Sequence, residues 1–379
     1  MVTRISRTDR SLVGKWWWTV DRWTLGITCV LMFLGLFLSF AASPSVAHHL
    51  KLNSFFFVIR HFAFLVPTLL IIIGVSLLDH KMIRRMSMVL FIVSIILIIC
   101  TILFGTEIKG ARRWLSFGGF SLQPSEFLKP AFTVLSAWLF SEYRAKQGDF
   151  PGLSISFVLF ALSILVLLLQ PDLGMVVLVT LIWFAQFFLA GLSIFWILVA
   201  IVMGVVGLGL SYMFLPHVTK RMDQFMDGSA GNKFTDRYQI NQSLEAFMNG
   251  GTLGQGPGEG IVKKHLPDAH ADFIFAVAGE EFGIILCVII ACLFLFILLR
   301  SFWHALSEHN LFTLLAVTGL TMQLTIQAMI NMSSTLNLIP TKGMTLPFLS
   351  YGGSSMLALG ISMGMILSLT RRNTSGPML

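Results

Sequence analysis

Glu126 and Lys129 stand three residues apart just inside an apolar run, directly after Gln123-Pro124-Ser125. That spacing puts an acid and a base on one face of a helix. A charge within a membrane helix costs about 2.5–3.5 kcal/mol on insertion scales, so it faces a cavity or a partner. The pair is therefore either a self-neutralising bridge or a cation held for an anionic ligand. Arg113-Trp114 lies in the polar stretch just before it. An arginine fork beside an amphipathic ring suits a phosphate at a membrane surface, and equally suits plain interfacial anchoring. The acids gather further on, in Leu266-Pro267-Asp268-Ala269-His270-Ala271-Asp272 and in Gly279-Glu280-Glu281. Asp272 is the last polar residue before an apolar run. It reads as an N-cap of the coming helix or as a working carboxylate. His270 is placed to orient a ligand or to stand as an ordinary loop histidine. Of Glu280 and Glu281, at least one must face the protein interior.

These residues are embedded in a chain whose solvent is mostly lipid. Of 379 residues, 56% are hydrophobic and 12% are charged, and the mean hydropathy is +0.83. A soluble domain carries about 25% charged residues. The net charge of +8 is explained by Lys and Arg flanking apolar segments, which is a topology signal rather than a nucleic-acid footprint. Cys29, Cys100, Cys287 and Cys292 all lie in apolar runs without a Cys-x-x-Cys pair, so they read as packing residues.

Runs long enough to span a bilayer fall at about 24–42, 59–78, 87–104, 126–141, 153–169, 173–190, 194–214, 274–299, 311–332 and 354–370. The expected fold is an all-α polytopic membrane protein of about ten helices. It divides into a cytoplasmic segment 1–23, a transmembrane domain 24–370 and a cytoplasmic tail 371–379. Arg4, Arg7, Arg10, Lys15 and Arg22 hold the N-terminus inside, with Trp16, Trp17, Trp18 and Trp23 as an interfacial belt. Lys81, Arg84 and Arg85, then Arg144 and Lys146, then Arg300, and last Arg371 and Arg372, fall in loops assigned to the same side. Gln170-Pro171-Asp172 separates two spans, or breaks one.

Two outer segments carry cations against that bias. One is Gly105–Ser125, with Lys109, Arg112 and Arg113. The other is the large loop Leu215–Asp272, with Lys220, Arg221, Lys233, Arg237, Lys263 and Lys264. An anionic ligand would explain them, as would the indifference of long loops to charge. Within the large loop, Gln239–Asn249 has helical spacing and stops at Gly250-Gly251. The run Gly254-Gln255-Gly256-Pro257-Gly258-Glu259-Gly260 is neither a dinucleotide fingerprint nor a P-loop. The last outer segment, Asn337–Ser355, suits a re-entrant piece buried in protein.

Five segments together resemble the SEDS family (shape, elongation, division and sporulation). They are Lys109-Gly110-Ala111-Arg112-Arg113-Trp114, Gln123-Pro124-Ser125-Glu126 with Lys129, Gln170-Pro171-Asp172-Leu173-Gly174, Pro267–Ala276, and Pro347–Ser355. They occur in order over nearly the whole chain. Ala271 departs from the threonine usual at that place. Pro340-Thr341-Lys342-Gly343 resembles the cell-division branch more than the elongation branch.

The resemblance implies a ten-helix peptidoglycan glycosyltransferase of the cell inner membrane, acting at the division septum. Its substrate would be lipid II, an undecaprenyl-pyrophosphate-linked disaccharide peptide. Its partners would be a class B penicillin-binding protein, a transpeptidase of the FtsI type, and other divisome proteins. By motif, Asp272 corresponds to the family's essential acid, and Arg113 and Lys129 to its cations. Glu126, His270 and Lys263 join them as candidate substrate contacts. The chemistry agrees with this assignment. An acceptor hydroxyl needs a general base, and a departing pyrophosphate needs fixed cations or a divalent ion such as Mg or Mn. No ligand cluster in the sequence demands a metal. A flippase for the same lipid is the rival reading, and a scaffold that only recruits the transpeptidase is another.

Overall fold

The computed structural model describes residues 11–108, 111–117, 120–191, 194–214, 219, 222–223, 236–308, 310–340 and 343–371. Arg4, Arg7, Arg10, Lys109, Lys220, Arg221, Lys233, Lys342 and Arg372 lie outside them. A short helix α1 (Leu12–Thr19) precedes α2 (Arg22–His49), α3 (Phe56–Ser76), α4 (His80–Phe104), α5 (Pro124–Ala145), α6 (Gly152–Leu169), α7 (Leu173–Leu189) and α8 (Ile194–Phe214). After the large loop come α10 (Ile274–Leu306), α11 (Leu311–Thr335) and α12 (Gly353–Leu369), with α9 (Asp236–Gly250) inside that loop. In the described residues, the helices other than α1 and α9 overlap the ten expected spans one for one. Among the described residues, six (α2, α3, α4, α6, α10 and α11) are long and apolar enough to cross a membrane by length and composition, while α7 and α12 are shorter apolar helices.

Several helices outrun their apolar stretches. Lys81, Arg84 and Arg85 belong to the first turns of α4, and Arg300 lies inside α10, so none of them is in a loop. Helical hydrogen bonding continues past the lipid boundary wherever long cationic side chains can reach back to water. Gln170-Pro171-Asp172 separates two helices that pack on each other, and the Asp172 side chain accepts from Met175 N at the start of α7.

A polar seam runs through the apolar core of the bundle. α5 lies at its centre against α4, α6, α7, α11 and α12, and it buries Ser125, Glu126, Lys129, Thr133 and Ser136. Gln186 of α7 donates to the carbonyls of Thr133 (2.9 Å) and Leu315 (3.0 Å), so one amide ties α5, α7 and α11 together. Association of helices in lipid relies on such close packing and hydrogen bonds, because apolar faces gain nothing by leaving lipid. Large apolar side chains such as Phe33, Leu70, Val89 and Leu299 accordingly lie exposed on the outside.

Arginines close helix ends at one pole of the bundle. Arg144 donates to the carbonyls of Ala190 (2.7 Å) and Gly191 just past α7. Arg371 donates to those of Ser76 (3.3 Å) and Leu77 (3.4 Å) at the end of α3. Arg300 grips the carboxylate of Asp21, the N-cap of α2, at 2.6–2.9 Å.

At the other pole, the stretch after α4 is a three-stranded antiparallel sheet rather than an irregular loop. It comprises β1 (Thr106–Ile108), β2 (Ala111–Phe117) and β3 (Phe120–Leu122), in the order β1-β2-β3. The expected helix in the large loop is present as α9, and the chain after it threads a break in α10. Gly283 has φ +70° and ψ −172° inside that helix, and Ile284 N bonds Gly251 O at 3.0 Å. Gly254 (φ +83°) lies so close to the Glu281 backbone that a Cβ would overlap it. Gln255 N and Gly256 N then bond the carbonyls of Glu280 and Glu281, each at 3.0 Å.

Candidate functional site

Asp272 is not the N-cap of α10. That place belongs to Phe273 (φ −111°, ψ 20°), which makes no side-chain cap bond. The reason is a tight turn just before the helix, in which Ala271 N (3.1 Å) and Phe273 N (3.3 Å) both bond the Asp268 carbonyl. Asp272 is thus carried on a turn and not on the helix.

Three successive carbonyls of that turn are clamped from the side. His270 O accepts from Tyr351 N at 3.0 Å, Ala271 O from Ser350 Oγ at 2.6 Å, and Asp272 O from Asn331 Nδ2 at 2.9 Å. The segment after α11 therefore runs alongside the acid. Gly343 is close enough that a Cβ on it would sit 3.6 Å from Asp272 Oδ2.

The cations form a second group. Lys129 Nζ lies 2.8 Å from Glu126 Oε2 and 2.7 Å from Gln327 Oε1, with 1% of its side chain exposed. Arg113, on β2, donates to the carbonyls of Gln170 (3.1 Å) and Pro171, and its Nη1 lies 3.7 Å from Asp172 Oδ2. Burial pushes the Asp172 carboxyl above its usual range, against the opposing pull of Arg113, and Glu126 and Lys129 also act on it. Arg113 with Asp172 and Lys129 with Glu126 are two ion pairs, and the second acts electrostatically on the carboxyl of the first.

Acid and cations meet through α11. Gln327 takes Lys129 on its oxygen and donates from Nε2 to Thr345 O at 3.1 Å. Asn331, one turn on, donates to Asp272 O and also to Met344 O at 2.7 Å. Lys129 and the Asp272 turn are thus both tied, through Gln327 and Asn331, to Thr345 and Met344. Gln327, Asn331, Ser350 and Asp172 were not singled out by chemistry in the sequence. The available signal was a polar series, Gln323, Gln327 and Asn331, at four-residue spacing inside an apolar run.

The other candidates are placed apart. The His270 ring lies tilted, with its centre 4.1 Å from that of Phe57 and 5.6 Å from that of Tyr351, and its Nδ1 has no hydrogen-bond partner. Burial lowers its pKa to about 4, so the ring is neutral at neutral pH. Lys263 is 4% exposed and turned inward, paired with Glu281. Glu280 accepts from Val262 N (2.7 Å) and Lys263 N (2.9 Å), and Glu281 also accepts from Gly258 N (3.1 Å). The two buried glutamates hold the glycine-rich loop to α10. Among the described residues no three His, Cys, Asp or Glu side chains gather around one point. Glu126 and Asp172 each face a cation.

The model of the FTSW_RODA_SPOVE family, described as a cell cycle protein, matches residues 22–375. A relative from Caulobacter vibrioides named "Probable peptidoglycan glycosyltransferase FtsW" is 43% identical over 368 residues, covering 97% of this chain and 93% of its own. One of the same name from Tolumonas auensis is 32% identical, covering 94% and 96%. Among solved structures, one titled "Structural coordination of polymerization and crosslinking by a peptidoglycan synthase complex" matches with a TM-score of 0.75, at 24% identity over 93% of this chain and 97% of that one. The rod shape determining protein RodA of Thermus thermophilus matches with a TM-score of 0.65 at 24% identity, with the same coverage. These likenesses carry the fold.

Proposed function

The chain belongs to the FTSW_RODA_SPOVE family of cell cycle proteins, and we propose that it is a peptidoglycan glycosyltransferase that polymerises lipid II into glycan strands. It is a multi-pass membrane protein. The proposal includes both termini in the cytoplasm, the 215–272 loop outside, and work at the division septum beside a class B penicillin-binding protein. The FtsW names of its relatives favour the division branch over RodA.

One observation carries the reading: Asn331 ties the backbone of Asp272, and Gln327 ties Lys129, to the neighbouring carbonyls of Met344 and Thr345 at one pole of the bundle. The reaction needs both the acid and the cation. Asp272 takes the proton of the acceptor sugar hydroxyl as its oxygen attacks the donor's anomeric carbon. The bond from that carbon to the lipid pyrophosphate breaks, and negative charge grows on the leaving oxygens. Lys129 and Arg113 meet that charge, exchanging Glu126 and Asp172 for phosphate oxygens. His270, neutral and wedged between Phe57 and Tyr351, orients the sugar, and Lys263 serves by fixing the loop that leads to Asp272. Both lipid tails remain in the bilayer beside the bundle.

The test is purified full-length protein in detergent with lipid II. Glycan polymer on a gel supports the proposal. No polymer, together with lipid II translocation after reconstitution into vesicles, would make the chain a flippase.

A further inference from the structure

The proposed base does not set its own position. Asp272 lies in a turn without the regular hydrogen bonds of a helix around it, so the place of its carboxylate depends on what holds the 272 peptide. Asn331 is 1% exposed near the end of α11, and both N–H bonds of its amide are committed, one to Asp272 O (2.9 Å) and one to Met344 O (2.7 Å). The orientation of the amide follows from those partners. Flipped, its oxygen would face two carbonyl oxygens at hydrogen-bond distance, an arrangement without a proton. Its Oδ1 has no hydrogen-bond partner, so the side chain accepts an unsatisfied acceptor in order to place two donors. Gln327, four residues earlier on the same face, makes the matching bridge from Lys129 to Thr345 O.

We propose that Asn331 is a positioning residue for the transfer step: it sets Asp272 against segment 343–344 so that the carboxylate meets the acceptor hydroxyl. The inference rests on the reading of Asp272 as the base. Such a residue acts on the geometry of the reacting groups and not on lipid binding, so its loss falls on kcat. A misplacement of about 1 Å at reacting groups costs on the order of 100-fold.

The experiment uses full-length protein in detergent, with lipid II polymerisation rates and melting temperatures read on the same samples. Asn331→Leu keeps the branched outline in a larger side chain and removes both donors. It should lower kcat about 100-fold while leaving KM within about threefold. Asn331→Gln retains an amide donor on a longer arm and should recover part of that loss. If the Leu variant does not fold, Asn331→Ser, too short to reach either carbonyl, should show the same split. A kcat within about threefold of the parent in Asn331→Leu or Asn331→Ser overturns the proposal. So does a loss that appears as raised KM, or one that follows melting temperature and disappears on cooling. Failure of both to fold makes Asn331 purely structural and overturns it as well. Asp272→Asn, run alongside, separates the two readings. If that variant is active, the base itself is wrong. If it is dead while the Asn331 variants turn over normally, only the positioning role is.

Discussion

Lys129 and Glu126 meet at 2.8 Å on α5 with 1% and 6% of their side chains exposed, so the resting cation is already neutralised. Removing one partner leaves a buried charge without its counter-ion, which costs about 3–5 kcal/mol. Lys129→Met alone should therefore melt earlier as well as lose activity. The double variant Lys129→Met with Glu126→Leu removes both charges and should recover most of the melting temperature while polymerisation stays about 100-fold down or worse. Melting and glycan synthesis on the same samples decide it. Recovery of synthesis together with stability would make the pair a structural bridge only.

The turn at 268–273 sharpens the test of Asp272. With Phe273 as the N-cap of α10, the loss of about 0.5–2 kcal/mol expected when an N-cap Asp becomes Ala does not apply. Both Asp272→Asn and Asp272→Ala should melt near the parent and make no polymer. Full activity in either removes Asp272 from the mechanism.

His270 titrates near 4 in the folded protein, against 6.5 for an ordinary imidazole, because burial disfavours its charged form. Between those values the unfolded chain binds the extra proton and the folded one does not. Stability from this group is thus complete above pH 6.5 and is lost as pH falls toward 4. His270→Phe should flatten the melting curve over that window while leaving the neutral plateau nearly unchanged. An unaltered acid slope would show that the ring is not the group responsible.

Lys263, a candidate substrate contact by sequence, pairs with Glu281 and holds the glycine-rich loop to α10. Lys263→Met strands a buried carboxylate and should cost about 3–5 kcal/mol, with KM for lipid II unchanged in whatever protein remains folded. Gly254→Ala should act at the same place for a different reason, since φ +83° and the Glu281 backbone both exclude a side chain. Protease cleavage within 251–261 should rise in both. A raised KM with normal melting in Lys263→Met would return that lysine to the binding site.

Fusions of a sided reporter at Gln255 and after Leu379 should give opposite signals under the proposed topology, in which the lysine and arginine distribution is read as a large loop outside and both termini inside. Signals from one side would overturn the ten-span topology.

The ten spans were legible because lipid imposes a length and a composition that hardly any other environment selects. α9 was legible from its spacing and its Gly250-Gly251 stop. The sheet at 106–122 was not, although Lys109-Gly110 and Gly118-Gly119 are two-residue turn signals. Two of its strands have three residues each, too few for an alternating pattern to stand out. Lys129 could be picked out as a charge inside an apolar run, and Arg113 and Asp272 by the motifs that carry the resemblance. Their partners could not: the carbonyls of Gln170 and Pro171, and the amides of Gln327 and Asn331, are 57 to 198 residues away along the chain. The N-cap expectation at Asp272 failed because the Asp268 carbonyl closes a tight turn just before the helix, which Tyr351, Ser350 and Asn331 then clamp from the side.

The arginines that close α3 and α7 give one end of the protein two duties at once. Arg144 and Arg371 are among the charges that mark a side for insertion, and in the finished fold they stitch the last carbonyls of neighbouring helices. Orientation and cohesion are therefore encoded in the same letters. A chain whose charge signature is rewritten to invert it would also come unfastened at that pole, so an upside-down copy of this protein would be a poorly knit one. Mis-insertion would in this way present quality control with a loosened bundle rather than a well-folded protein facing the wrong way.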